Sequence, residues 1–414
     1  HDKGNLIIVD RKGDLFSIGN DEKIFIKNIR PAIIENGDIT SILFDGDDVF
    51  IAFRTNGLIR LDYKKKYEIE KMPINCGVFT LLKDDLQDIL WIGTDGQGVY
   101  ACTKEEYTFK GINLEELPVK NQRPIRAIYS DHNNQLWLGT KGNGIIQIRD
   151  FDKIQEYNKE SVNHLTTENG LSNNVVYAFE RSVANNVLWI GSAGPGLYYY
   201  SYDDKKIYTL KNDNPIRFVE VHSILETSDS TLWVASLNNL LKVNIFKNRN
   251  VLEVRDIRKY EFAIKNKQIF NQIYSISQEN DSVMWIAMRG NGAIKLNCNN
   301  GNYEVITFEK NGIAPMNDVL SLHIDRKGNK WFGSSYGIND LDEFPNGKYD
   351  YRNFNENDGL PNNTIHGILE NPDGRLWLSS NAGIILFDPS KETFRSFNQK
   401  TGLKVMEFSD NAQY

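Results

Sequence analysis

The sequence predicts an all-β protein, a β-propeller of repeated four-stranded blades, and three observations carry that prediction. A short stretch typified by Leu90 to Gly98, Leu-Trp-Ile-Gly-Thr-Asp-Gly-Gln-Gly, recurs throughout the 414 residues. It places Trp91, Trp137, Trp189, Trp233, Trp285, Trp331 and Trp377 in one slot, which uses all 7 tryptophans. Phe16 and Phe50 fill the same slot in two weaker copies, and successive slots lie 34, 41, 46, 52, 44, 52, 46 and 46 residues apart. A period of that size marks one supersecondary unit per repeat. Each unit reads as four short runs rich in Ile, Val, Leu, Tyr and Trp, divided by turn residues, and no stretch of useful length has helical periodicity.

The unit around Trp137 shows the pattern. Ile125-Arg126-Ala127-Ile128-Tyr129 is the first run. Asp131-His132-Asn133-Asn134 turns the chain into Leu136-Trp137-Leu138-Gly139-Thr140, and Lys141-Gly142-Asn143-Gly144 leads to a third run, Ile145 to Ile148. A fourth, weaker run ends near Tyr157. Glycine-bearing first turns recur at Gly13, Gly328 and Gly374, where a positive φ carries no steric cost. The second connection is Gly-x-Gly at Gly96–Gly98, Gly142–Gly144, Gly194–Gly196 and Gly290–Gly292, and shrinks to single glycines at Gly337 and Gly383. Propellers close with four to eight blades, so nine slots are one too many for a single ring. The expected division gives residues 76–414 seven Trp-bearing repeats that form most or all of a seven-bladed propeller. Residues 1–75 then hold two divergent blades of a preceding one.

Composition narrows the function. A net charge of −7 argues against a nucleic-acid-binding role, which calls for a basic stripe. No apolar run approaches the roughly 18–20 residues needed to span a bilayer. The chain begins at His1, which reads as a processed or shortened product. Three cysteines and six scattered histidines offer neither a disulfide framework nor a metal set, and no cofactor is expected. The sequence offers no paired carboxylates, no nucleophile with its base and no phosphate loop, and no catalytic residue is expected. The Gly-x-Gly loops lead into strands rather than helices.

With the repeats laid out, Leu-Trp-Ile-Gly-Thr followed by Gly-x-Gly resembles the two-component regulator propeller repeat. Asn169-Gly170-Leu171-Ser172-Asn173-Asn174 and Asp358-Gly359-Leu360-Pro361-Asn362-Asn363 resemble that family's inter-blade segment, as does the tail Thr401-Gly402-Leu403 with Glu407-Phe408-Ser409-Asp410. The resemblance implies the periplasmic sensor portion of a hybrid two-component or one-component regulator of Bacteroidetes, anchored in the inner membrane. It further implies an oligosaccharide ligand, a homodimer that signals by conformational change, and no enzymatic activity in this portion. A propeller lyase or hydrolase acting on polysaccharide, or a protein-binding scaffold, is the alternative.

A binding rim needs residues that vary where the scaffold repeats. The position four after each tryptophan slot is such a place and brings Arg54, Lys141, Arg289 and Asn381 to the second loop, beside Asn143, Asn291 and Tyr336. The cations suit carboxylate or sulfate groups, and an acidic sugar fits them. A second variable slot lies at the start of the first strand: Thr40, Phe79, Arg126, Val176, His222, Tyr274, Leu320 and His366. Whether it faces the channel stays open, because strand alternation allows either face. Arg126 completes the candidate ligand contacts. Tyr198-Tyr199-Tyr200-Ser201-Tyr202 reads as blade packing on one side and surface on the other.

Overall fold

The computed structural model describes residues 6–19, 22–45, 48–62, 67–84, 89–103, 111–112, 114–119, 123–153, 157–182, 184–228, 230–237, 239–249, 251–264, 267–268, 272–308, 317–399, 403 and 408–410. They form two compact units, His1–Thr108 and Phe109–Tyr414.

In the first unit the described residues make three antiparallel sheets, at 6–28, 39–71 and 78–103, of three, four and three strands. A helix, Arg30–Asn36, precedes the second sheet, with Pro31 in its first turn and no side-chain cap. Sequence periodicity missed it, since seven residues are too few to establish a helical stripe. Phe50, Ala52 and Leu58 share one core with Val78, Leu81, Leu90 and Ile92. The division expected at residues 75/76 therefore runs through a core common to two sheets, and the compact units part at 108/109 instead.

Among the described residues the second unit holds six four-stranded antiparallel sheets, at 125–165, 176–209, 221–260, 272–306, 319–354 and 365–397, with strands in sequence order. A two-stranded hairpin, Ala263–Ile264 with Lys267–Gln268, lies between the third and fourth. The first strands of consecutive sheets run side by side, the arrangement of propeller blades. Apolar cores span neighbouring blades: Trp189 and Tyr199 pack with Val221, Leu232 and Val234, and Trp285 packs with Val319, Phe332 and Leu341. Close approach shapes the sequence. A Cβ added at Gly191 would stand 2.5 Å from the Val221 carbonyl oxygen of the next blade.

Both faces of the blade at 176–209 are covered by its neighbours, and this corrects the reading of the tyrosine run. Tyr198, Tyr199 and Tyr200 are all buried, joining cores on opposite faces of their blade. Trp137, Trp189, Trp233, Trp285 and Trp331 are buried and Trp377 partly so, whereas Trp91 in the first unit is 36% exposed and does not share that inter-blade burial.

The buried indoles also need an acceptor for their N–H groups. Carboxylates in or just before the first turn supply it: Trp137 Nε1 donates to Asp131 at 2.9 Å, Trp285 to Glu279 at 2.7 Å and Trp331 to Asp325 at 3.0 Å. In each case the acid stands six residues earlier. Asp131 Oδ1 also accepts from the backbone of Asn133 and Gln135, so one side chain shapes the turn and anchors the indole. In the blade of Trp189 the acceptor is Glu226 of the next blade, at 2.9 Å. Glu226 lies against Glu180, whose carboxyl is pushed up to about 7 by burial and by the neighbouring charge. A carboxyl raised in the folded state contributes stability at low pH that is lost as pH rises from its ordinary value, 4.5, through 7. Glu180→Gln is therefore expected to stabilise the protein at pH 8 and to change little at pH 4. Urea unfolding at both pH values checks this, and equal effects at the two would refute it.

Candidate functional site

The first strand of every blade in the second unit opens with the same irregularity. Pairing with the second strand slips between Ile125 and Ala127, Val176 and Ala178, Val221 and Ser223, Ile273 and Ser275, Val319 and Ser321, and Ile365 and Gly367. A β-bulge of this kind re-aims one side chain. The displaced residues are Arg126, Tyr177, His222, Tyr274, Leu320 and His366. The slot expected at Val176 thus belongs to Tyr177: the bulge makes it the counterpart of Arg126, and Val176 is fully buried instead. Strand alternation left the facing open because a bulge breaks the period of two.

These side chains meet across blades. The Arg126 guanidinium lies over the Tyr177 ring at 5.4 Å. Tyr177 stacks on His222 with ring centroids 4.3 Å apart and planes 20° from parallel, and His222 continues to Tyr274 at 5.7 Å. Arg289 donates to the Tyr274 hydroxyl at 3.0 Å and pairs with Asp318 at 3.4 Å. His366 contacts Asp410 through Nδ1 at 2.5 Å and Asn381 Oδ1 through Nε2 at 2.8 Å. Arg126 affects the ionisation of His222, His366 and Asp410, so the first and last blades of the unit contribute to one cluster.

The two histidines are pushed in opposite directions. Burial, reinforced by Arg126, depresses His222 to about 4, so it is neutral at pH 7. Burial also works against charging His366, but hydrogen bonds with Asp410 and Asn381 outweigh it and raise its pKa. Asp410 is in turn held below the usual carboxylate range, the His366 contact outweighing its burial. With an acceptor oxygen at each ring nitrogen, His366 is satisfied only as the doubly protonated imidazolium. The signs of linkage follow. Stability from His222 is lost as pH falls from 6.5 toward 4. Stability from His366 is present below 6.5 and lost as pH rises through its folded value. NMR titration is expected to show one histidine still neutral at pH 5 and another still charged above pH 6.5. Assignment by His222→Gln and His366→Gln completes the test, and a reversed order would contradict the geometry.

Of the residues expected at the site, Arg126, Arg289 and Asn381 belong to this cluster. Lys141 is exposed and bridges to Val175 through its backbone. Asn143 contributes its carbonyl to His164 Nε2 at 2.7 Å, and Asn291 donates to the Arg289 carbonyl at 3.4 Å. Tyr336 is 44% exposed on its loop, held there through its backbone by Ser334 and Asn353. Arg54 lies in the first unit, exposed, with its backbone N–H on the Asp38 carbonyl. Tyr177 and Asp410 were missed. The bulge hid the first; Asp410 is distant in sequence, in a tail whose residues 401, 402 and 404–407 lie outside the described residues. Among the described residues no group of three or more His, Cys, Asp or Glu side chains could hold a metal ion.

The fold and this cluster define a β-propeller that gathers varied side chains from repeated blades at one end. The model of the two-component regulator propeller family matches residues 119–142 and 359–382. It is 31% identical over 173 residues to histidine kinase P4 of Formosa agariphila, a match covering 41% of this chain and 12% of that one. The extracellular domain of a candidate hybrid two-component system from B. thetaiotaomicron shares its fold, with 22% identity, a TM-score of 0.57, and coverage of 99% of this chain and 52% of that one. A second such domain from the same organism gives 16% identity, a TM-score of 0.56, and coverage of 95% and 54%. The chain thus spans about half the length of those structures and a small part of the kinase. No helix among the described residues is long and apolar enough to cross a membrane, which says nothing about β-barrels.

Proposed function

We propose that this chain is the periplasmic ligand-sensing portion of a membrane-spanning signal-transduction regulator and that it binds an oligosaccharide. The observation that carries the reading is the cluster itself. Six copies of one scaffold place six largely different side chains at one bulged position, while the surrounding blade chemistry repeats. The regulator propeller repeats support the sensing role. Signalling follows if the ligand binds one arrangement of a homodimer better than another, since only differential affinity shifts an equilibrium. Attachment of the full-length protein to the inner membrane belongs to the same proposal. Calorimetry against a panel of neutral, uronate-bearing and sulfated oligosaccharides tests it, and a chain that binds no member of any class would remove its main support.

One observation favours a second reading, a polysaccharide lyase or hydrolase: His366 is paired with Asp410 near Arg126. The same geometry counts against it, because both ring nitrogens of His366 are occupied as donors and neither is left as a base. Turnover of any polysaccharide that disappears in His366→Ala would establish the enzyme; binding without turnover supports the sensor.

A further inference from the structure

We propose that Arg126 and Tyr177 form a subsite for a sugar ring bearing an anionic group, a carboxylate or a sulfate, with Arg126 as the selecting residue. The proposal rests on the oligosaccharide-sensing reading and narrows it to a chemical class. Three observations lead there. First, the other charges of the cluster are committed. Arg289 is tied to Tyr274 and Asp318, Asp318 also accepts from Ser335 at 2.6 Å, and Asp410 is tied to His366. Arg126, by contrast, has no carboxylate within ion-pair distance among the described residues, and its buried Nε has no hydrogen-bond acceptor. A guanidinium partly withdrawn from water without a counter-ion is poised to gain from one, and its planar fork matches both anions.

Second, the guanidinium does not stand alone. It is half-buried over the face of Tyr177, within the range of a cation–π contact, which fixes its orientation. Third, Tyr177 is backed by a stack. His222 and Tyr274 are 9% and 6% exposed and extend from the ring in near-parallel order, so they position Tyr177 rather than offer open faces of their own. Because burial keeps His222 neutral, this backing adds no second cation. Glu220 acts on Tyr177 electrostatically, but forms no ion pair with Arg126. The half-exposed Tyr177 and Arg126 together present an aromatic surface for the C–H face of a pyranose and a fork for its charge.

The test uses calorimetry on the whole chain with neutral, uronate-bearing and sulfated oligosaccharides, for the native protein, Arg126→Met and Arg126→Lys. A charged set is expected to bind best, and Arg126→Met to weaken it about tenfold or more. Arg126→Lys is expected to restore part of the loss, and the two charged arms tell carboxylate from sulfate. If Arg126→Met fails to fold, Arg126→Lys with a salt titration serves: weaker binding than native, declining with salt, supports the subsite. Neutral oligosaccharides bound as tightly as charged ones, or charged binding indifferent to both variants, would overturn the subsite and leave the sensor reading standing. Absence of binding by every class would overturn both.

Discussion

Trp285→Ala is expected to destabilise the protein by about 3–5 kcal/mol, the range for truncating a fully buried tryptophan. Trp285 has no exposed surface and belongs to a core that joins its own blade to the next through Val319, Phe332 and Leu341. Its ring meets Phe332 edge to face at 5.8 Å, and its N–H is bonded to Glu279. Truncation empties a cavity between two blades that cannot collapse independently, because each is also packed against a neighbour on its other face. It also removes a hydrogen bond that helps hold Glu279 below its ordinary pKa despite burial, although Lys330 remains 3.1 Å from that carboxylate. Trp285→Phe, which keeps most of the ring volume, is expected to lose clearly less. Chemical unfolding of the three proteins decides the point. A loss for the alanine variant below about 1 kcal/mol would mean that the tryptophan repeat does not hold the blades together.

Gly292→Ala is expected to cost several times more than Gly290→Ala, although both glycines have φ of 77°. At Gly290 an added Cβ meets nothing within 4 Å, so only the left-handed backbone penalty applies, about 1 kcal/mol. At Gly292 the Cβ would lie 2.2 Å from the Ile306 carbonyl oxygen, which closes the fourth strand of the same blade. The Gly292 N–H also donates to the Asn317 carbonyl at 2.8 Å, in the segment leading to the next blade. Relief of the clash therefore pulls on a contact between blades, and a loss of about 3 kcal/mol or more is expected. The same geometry recurs at Gly144, Gly337 and Gly383, each with its Cβ position 2.1–2.2 Å from the carbonyl at or beside the end of the fourth strand. This explains why the shortened copies of the loop keep the second glycine and dispense with the first. Equal unfolding midpoints for the two variants would refute the distinction.

Much of the fold was legible because its cause is periodic. The tryptophan slot, the turn glycines Gly13, Gly328 and Gly374 with φ of 84–87°, and the run of four strands all repeat in phase. The inter-blade motif was legible for the same reason. Leu171 and Leu360 are buried, while Asn174 and Asn363 cap the backbone of Thr167 and Glu356. The acids six residues before Trp137, Trp285 and Trp331 were visible too, but their second task as indole acceptors follows only from seeing the ring across the turn. The helix at Arg30–Asn36 and the boundary between the compact units repeat nothing and left no periodic trace.

A repeated all-β chain, with Arg126, Arg289 and Asn381 among the residues to watch, is readable from residue order alone, because variation within a repeat is a one-dimensional signal. The folded arrangement was needed to show that the bulged residue is Tyr177 rather than Val176, that Asp410 closes on His366, and that the pKa of His222 is lowered while that of His366 is raised. Those outcomes depend on residues 44 to about 240 positions apart meeting at one end of a set of blades, where burial and facing charges set ionisation. The order of residues along a chain specifies each strand locally, whereas the environment of a side chain is fixed only when the blades stand side by side.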